Sequence, residues 1–469
     1  MTNKPDDDDD ECCSSYPPTG GTRARPAARR ATEAMSSPTF ALDARATPRV
    51  VSRRARPVRP PPRARLDVRA SSSTRDDDVP NRGFGLLEWL GPVVPQGALV
   101  TGVKTGWREA HRAMVRELAP QSPEGAYVRP AYAFDGVISP TPGVAGAPHP
   151  PEPDRYVAYV GNACPWCHRV TLTIALRGLG DVVRVVRMTD DAERASRGGW
   201  VFERGVPASR DPVFDAPDLR VVYDRATSGR PEFPDGYRGR CTAPLLLDAV
   251  SRRPVSNESA DIVRMLDAAD FRSSPATSRR DDAAAPSSSE TDDDPPGRVR
   301  LYPAHLAEEI DGWNARTYAG VNDGVYRCGF ATSQAAYERA ASKVASTLDE
   351  LDARLATRRF LCGDKMTEAD VRLFPTIVRH DAVYATLFKC QKRRVADLPN
   401  LSAWMRDVYL LPGVAETVDV RGYLASYFGQ LFPLNPGGIV PTGPLEADLG
   451  LGQDPKRGGY ARDDVFWLE

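Results

Sequence analysis

The chain has 469 residues, with 62 Lys and Arg against 63 Asp and Glu, and this near-neutral balance argues against a basic coat for nucleic acid. Eight cysteines in this length are too few for a disulfide scaffold. No apolar run reaches the roughly 18 residues that span a bilayer, so neither nucleic acid nor a membrane is expected as a partner.

In chain order, residues 1–82 carry no fold signal. The acidic run "DDDDDE" precedes a long stretch rich in Arg, Pro, Ala and Ser, with few carboxylates and no hydrophobic period. Such a stretch buries too little apolar surface to offset chain entropy and is expected to be disordered. Its composition is that of an organelle transit peptide. From Met35 it begins "MSSPTFAL" and runs to "VRASSS", in the manner of a plastid leader, whereas the acidic residues 6–11 do not suit one. Met35 is therefore the expected working start, with processing between about residues 69 and 80 and a chloroplast destination. A basic tail on a cytoplasmic protein is the alternative.

Residues 83–150 read as a lead-in: "GWREAHRAMVREL" has helical spacing, and "VISPTPGVAGAPHPPEPD" is a Pro/Gly linker. Residues 151–270 alternate in type. "RYVAYVG" predicts a strand, "CPWCHRVTLTIALRGL" a helix, "VVRVVRM" a strand, "APLLLDAVSRRPVSN" a strand pair and "ESADIVRMLD" a helix. The order β-α-β then β-β-α predicts a thioredoxin-like α/β domain, with 189–240 as a long insert between its halves. Residues 271–299 are low-complexity Ser, Asp and Pro and are expected to form a disordered loop. Residues 300–428 predict an all-α domain, in which Thr367 and Asp370 form a capping-box-like start to a buried helix. Residues 429–469 read as an extended Pro/Gly-rich tail.

The stretch that carries chemistry is "GNACPWCHRV", residues 161–170. C-x-x-C-H attaches c-type haem in some proteins, and C-x-x-C forms half of many zinc sites. Haem needs a distal ligand that nothing here resembles. Zinc needs a second ligand pair, and Cys328, Cys362 and Cys390 are single and far apart, so no haem and no metal is expected. Two inert core thiols remain an open reading. The redox or thiol-transfer reading places Cys164 at a helix start, with Pro165 at the first helical position. Backbone N–H groups and the helix dipole then favour its thiolate, and Arg169 is expected to add positive charge. Cys167 lies one turn on, within reach to resolve a mixed disulfide. Downstream, Pro244 in "CTAPLLL" falls where a thioredoxin-like domain sets a cis-proline loop opposite the reactive cysteine, with Ala243 before it; an ordinary strand-start proline is the plainer alternative. Glu258 and Ser259 open a helix whose free N–H groups suit a carboxylate, or serve only as its cap.

Together these stretches resemble the glutathione transferases, and more closely their Xi class, the glutathionyl-hydroquinone reductases. The matching segments include "CPWCHR", "GGWVFER", "TAPLLLD", "SNESADIVRML", "VNDGVYRCGFATSQAAYE", "RRFLCGDKMTEADVRLFPTIVRHDAVY" and "NPGGIVPTGP", across about residues 155 to 445. The resemblance implies a thioredoxin-like domain followed by a helical glutathione-transferase domain, with glutathione as co-substrate. It implies Cys164 as the nucleophile on the sulfur of a glutathionyl-hydroquinone, leaving a mixed disulfide that a second glutathione resolves. By the same resemblance Trp200, Ala243, Pro244, Glu258 and Ser259 hold glutathione, Tyr326 and Tyr384 border the aromatic site, and the protein is a homodimer. The sequence departs from the family at Cys167, where well-known members carry no thiol. That departure keeps a dithiol glutaredoxin-like transferase or dehydroascorbate reductase in view. A glutathione-fold binding module without catalysis is the non-enzymatic alternative, and the thiol at a helix start speaks against it.

Overall fold

The computed structural model describes residues 94–141, 143–144, 148–271 and 298–468; the expectations for the leader and for the body of the low-complexity loop lie outside them. Helix α1 (Gln96–Leu118) is longer than the expected lead-in helix, and Val115 is its one buried residue. After it the chain runs irregularly to β1 (Tyr156–Gly161).

β1 is apolar throughout and buried throughout, as a strand paired on both sides and covered on both faces must be. It pairs in parallel with β2 (Val183–Asp190) and antiparallel with β4 (Leu245–Asp248). β3 (Trp200–Val201) and β5 (Arg253–Ser256) complete a sheet of order β3-β2-β1-β4-β5. Three helices accompany it: α2 (Pro165–Leu176), α3 (Leu219–Thr227) and α4 (Ser259–Ala268).

α3 corrects the reading of 189–240 as an insert between two halves. Asp218 caps it by accepting the Val221 N–H at 3.0 Å, and Leu219, Val222, Tyr223 and Ala226 bury one helical face. The domain is therefore β-α-β-β-α-β-β-α, with α3 as its middle helix. The loop that precedes α3 is long and polar, which hid the apolar spacing of these four positions.

β6 (Val299–Arg300) opens the second half, followed by α5 (Ala307–Thr317), α6 (Gly324–Gly329), α7 (Gln334–Leu355), α8 (Glu368–Arg379), α9 (Pro399–Tyr409) and α10 (Val420–Gln430). A π turn at Tyr318–Asn322 links α5 to α6, and another at His380–Tyr384 follows α8. α8 is the central helix, and of its residues only Arg372 escapes full burial. It starts at the capping box foreseen in the sequence: Asp370 Oδ2 accepts the Thr367 N–H at 3.1 Å. α8 also packs against α2, so the helical domain reaches the helix that carries the cysteine motif.

The tail departs from the expected extended segment. It returns through α11 (Arg462–Val465) to β7 (Trp467–Leu468), which pairs antiparallel with β6. Val465 and Phe466 are fully buried, so the C-terminus closes the helical core. No helix among the described residues is long and apolar enough to cross a membrane.

Candidate active site

Cys164 is the N-cap of α2, with extended backbone (φ −70°, ψ 122°) and Pro165 behind it at N1. The strand ends at Gly161, whose carbonyl accepts the Cys164 N–H at 3.2 Å and turns the chain into the helix. Burial alone pushes the Cys164 thiol up. Hydrogen bonds from the Cys167 thiol and from the Cys167 and Trp166 N–H groups, with the charge of Arg379, outweigh it and hold the thiol below its ordinary value.

That cation corrects the expectation for Arg169. The Arg169 guanidinium turns away from the sulfur: Nε donates to the Arg372 carbonyl at 3.1 Å and Nη2 to Asn322 Oδ1 at 2.9 Å. Arg379, at the end of α8, takes the expected place. Its Nε donates to the Ala163 carbonyl at 3.0 Å, and its guanidinium lies 3.5 Å from the centroid of the Tyr423 ring. Its Nη1 also donates to His168 Nδ1 at 2.9 Å. Burial and then Arg379 push the His168 pKa well down, so the ring is neutral and its Nε2–H donates to Thr417 Oγ1 at 2.8 Å.

Cys167 is fully buried and accepts the Gly161 N–H at 3.2 Å. Burial, and then the adjacent Cys164 sulfur, push its thiol well above the ordinary range. It therefore stands as a protonated donor to Cys164. Cys328, Cys362 and Cys390 are buried in the helical domain.

Two adjoining cavities share Trp166, Tyr326, Phe330 and Leu431 as walls, and Cys164 lines the smaller. The larger, about 550 Å³, runs along the Ala243–Pro244 peptide, which is cis, and past Asn257, Ser259, Arg129 and Tyr132. The Ala243 carbonyl oxygen lies 3.6 Å from Cys164 Sγ, which sets this stretch of backbone beside the sulfur. The smaller, about 210 Å³ and mainly apolar, is walled by Cys164, Trp166, Trp200, Asp190, Tyr326, Phe330 and Tyr427. Trp200 lies over Gly161, where an added Cβ would sit 2.1 Å from ring atom Cζ3, so only glycine lets the indole approach the cysteine turn.

Glu258 is not in the wall of the larger cavity; its carboxylate folds back as the cap of α4. Oε1 accepts the Ala260 N–H at 2.9 Å and the Ser259 Oγ–H at 3.1 Å. The helix start expected to offer free N–H groups is thus partly filled by its own acid. Tyr384 also differs from expectation. It is fully buried one layer behind the small cavity, and its hydroxyl meets Tyr427 Oη at 3.1 Å. Tyr427 in turn meets Tyr326 Oη at 2.7 Å. Tyr427 is the tyrosine that joins Tyr326 in the cavity wall.

The chain matches the glutathione S-transferase N-terminal domain over residues 163–269 and the C-terminal domain over residues 334–407. It is 39% identical to glutathionyl-hydroquinone reductase PcpF of Sphingobium chlorophenolicum over 357 residues, which cover 76% of this chain and 98% of that protein. The chain belongs to the glutathionyl-hydroquinone reductase family. It is also 37% identical to glutathionyl-hydroquinone reductase YqjG of Escherichia coli K12, across 70% of this chain and 91% of that one. Among solved structures, the glutathione transferase Xi of Phanerochaete chrysosporium aligns with a TM-score of 0.57 at 36% identity, over 68% of this chain and 98% of that one. The glutathione-bound structure of YqjG aligns with a TM-score of 0.55 at 34% identity, over 70% and 96% of the two chains.

This family member owes part of its site to residues that sequence reasoning passed over. Arg129 and Tyr132 come from the lead-in. The Arg129 guanidinium lies 4.0 Å from the centroid of the Trp166 ring, Nε donates to Tyr132 Oη at 2.9 Å, and Asp323 Oδ1 is 3.7 Å away. The segment has no hydrophobic period, and its only signal is the aromatic and basic run "YVRPAYAF". Tyr427 sits in "LASYFGQ", which reads as an ordinary core face. Among the described residues no cluster of His, Cys, Asp and Glu is arranged to hold a metal.

Proposed function

We propose that this protein reduces glutathionyl-hydroquinones to hydroquinones at the expense of glutathione, through a mixed disulfide on Cys164. The observation that carries the reading is the activated Cys164 thiol in the wall of a small aromatic cavity that adjoins a larger one along the Ala243–Pro244 peptide. The larger cavity, with Arg129, Tyr132, Asn257 and Ser259 in its wall, suits glutathione. The Ala243 backbone lies where the cysteinyl part would pair, and Ser259 and the start of α4 lie where the γ-glutamyl end would rest. Arg129 supplies charge for a carboxylate. Trp200 is placed to pack on the tripeptide, and the aromatic ring of the adduct would enter the smaller cavity.

In the first step the Cys164 thiolate attacks the adduct's sulfur. The S–S bond forms, the carbon–sulfur bond breaks, and the ring carbon leaves with that electron pair and takes a proton. In the second step a glutathione thiolate attacks the sulfur of the bound glutathione, giving glutathione disulfide and restoring the Cys164 thiolate. Tyr326 and Tyr427 border the ring, and their hydroxyl chain, which continues inward to Tyr384, is suited to relay that proton. Tyr427→Phe is expected to lower kcat by roughly 10- to 100-fold with little change in KM, measured by steady-state release of hydroquinone.

The test is turnover by a chain that starts near residue 80, given glutathionyl-hydroquinone and glutathione. Release of hydroquinone supports the reading. Cys167→Ser is expected to change the rate by less than about 5-fold, because a serine hydroxyl replaces the donated hydrogen bond. Collapse of turnover in that variant, with reduction of small mixed disulfides requiring both thiols, would instead favour the dithiol transferase. A homodimer and plastid import belong to the same proposal; light scattering of the purified protein and imaging of a tagged full-length chain test them.

A further inference from the structure

Asp190 is the last residue of β2 and pairs with Trp200 across the β2–β3 ladder. Its side chain is part of the wall of the small cavity with Cys164, Trp200, Tyr326 and Tyr427. Ser426 Oγ, on α10, donates to Oδ2 at 2.9 Å. On the other side, a Cβ at Gly199 would sit 2.9 Å from Oδ1, so the glycine leaves that oxygen its space. The carboxyl group is thus anchored by Ser426, with room left for its other oxygen at Gly199. No cation figures among the groups that act on it. Burial pushes its pKa up to about 6, Ser426 opposes this, and Asp191 adds to it. A carboxylate in a mainly apolar wall without a cationic partner costs stability, and such groups concentrate where function retains them.

We propose that the Asp190 carboxylate accepts a hydrogen bond from a ring hydroxyl of the bound conjugate, and so selects hydroxylated rings over bare aromatic ones. The inference rests on the glutathionyl-hydroquinone reading and adds the residue that recognises the quinol. An ionised carboxylate only accepts, whereas the phenols of Tyr326 and Tyr427 both donate and accept. A ring without hydroxyls would cover the charge and leave it only the Ser426 donor, which weakens binding more than loss of a neutral contact.

The sign of the linkage supplies a second readout. The folded-state pKa of about 6 lies above the ordinary 3.8, so the fold favours the protonated acid. Stability is lost as pH rises from 3.8 through 6, and the full cost of the charge is present above about pH 6. Asp190→Asn removes the charge and keeps the shape. It is expected to melt higher than wild type at pH 8, by roughly 2 °C or more, with the gain shrinking as pH falls below 6. The groups facing Asp190 are Cys164 from the start of α2, Tyr326 from α6, Ser426 and Tyr427 from α10, Trp200 from β3 and Asp191 beyond the strand end. Because Cys164 titrates as well, affinity is to be compared at one pH and in the Cys164→Ser background, which holds conjugates without turnover.

The experiment is calorimetric titration of that background, with and without Asp190→Asn, using S-(2,5-dihydroxyphenyl)glutathione and S-phenylglutathione. With Asp190 present the dihydroxy conjugate is expected to bind roughly 30-fold more tightly than the bare one. In Asp190→Asn, which lacks the charge, the preference is expected to fall to about 5-fold or less, and Asp190→Ala is expected to behave likewise. An unchanged preference in both variants, or a lower melting point with equal losses for both conjugates, would overturn the inference. If the wild-type chain releases no hydroquinone and neither conjugate binds, the functional reading fails and this inference falls with it.

Discussion

Cys164→Ser is expected to abolish hydroquinone release, by roughly 1,000-fold or more in kcat, while glutathione conjugates still bind. The loss follows from the position of the sulfur. Cys164 occupies the N-cap position of α2, where the Cys167 thiol and the Cys167 and Trp166 N–H groups favour its thiolate. Those donors and Arg379 outweigh burial, so the thiolate is present below the ordinary thiol value of 9.0. A serine hydroxyl stays protonated under the same donors and is a poor nucleophile toward sulfur. The cleft walls are unaffected, so KM and conjugate affinity should hold while kcat collapses. Alkylation by iodoacetamide followed against pH checks the premise: its midpoint should lie below 9.0 in the wild type and move upward in Cys167→Ala, which removes a donor to the thiolate.

Asp370→Ala is expected to cost about 3–4 kcal/mol of stability, read as a lower urea midpoint at unchanged slope. The Asp370 carboxylate is fully buried beneath the start of α8. Oδ1 accepts the Leu361 N–H and the Trp404 Nε1–H, each at 3.0 Å. Oδ2 accepts the Thr367 N–H and the Thr367 Oγ–H, each at 3.1 Å. Alanine strands those donors in a buried site, which is where a hydrogen bond is most costly to leave unmade. Asp370→Asn keeps an acceptor and should lose less. The effect extends to the proposed chemistry, because α8 carries Arg379 to the Ala163 carbonyl next to Cys164.

Where the sequence was legible, the reason is local. "YVAYVG" is apolar at every position because β1 is covered on both faces, and Pro165 after Cys164 marks the helix start whatever surrounds it. Thr367 and Asp370 announce the cap of α8 by spacing alone. What stayed hidden depends on contacts distant in sequence. Arg169 and Arg379 are both basic, and only the packing of α8 on α2 decides which one reaches the Cys164 turn. Tyr384 and Tyr427 differ by one layer of depth, which no spacing encodes. Glu258 was legible as a helix-start residue, but whether its carboxylate faces a ligand or its own helix is a rotamer. Asp190 is one acid among many in "TDDAERAS" until the β2–β3 pairing sets it beside Trp200.

The lead-in also changes what counts as the smallest working piece of this protein. Between α1 and β1 the chain ties both halves together. Gln121 Nε2 donates to the Phe330 carbonyl at 3.0 Å, the Thr332 N–H to the Gly125 carbonyl at 2.9 Å, and the Gly136 N–H to the Val255 carbonyl at 2.8 Å. It thus runs from the helical half to the outer edge of the sheet, and Arg129 and Tyr132 line the larger cavity on the way. A fragment trimmed to the two transferase domains would keep its cysteine and its fold elements yet lose one side of the larger cavity. Protein engineering of this scaffold therefore has to treat the strap as part of the enzyme, and a graft of the two domains alone would transplant Cys164 without Arg129 and Tyr132 beside it.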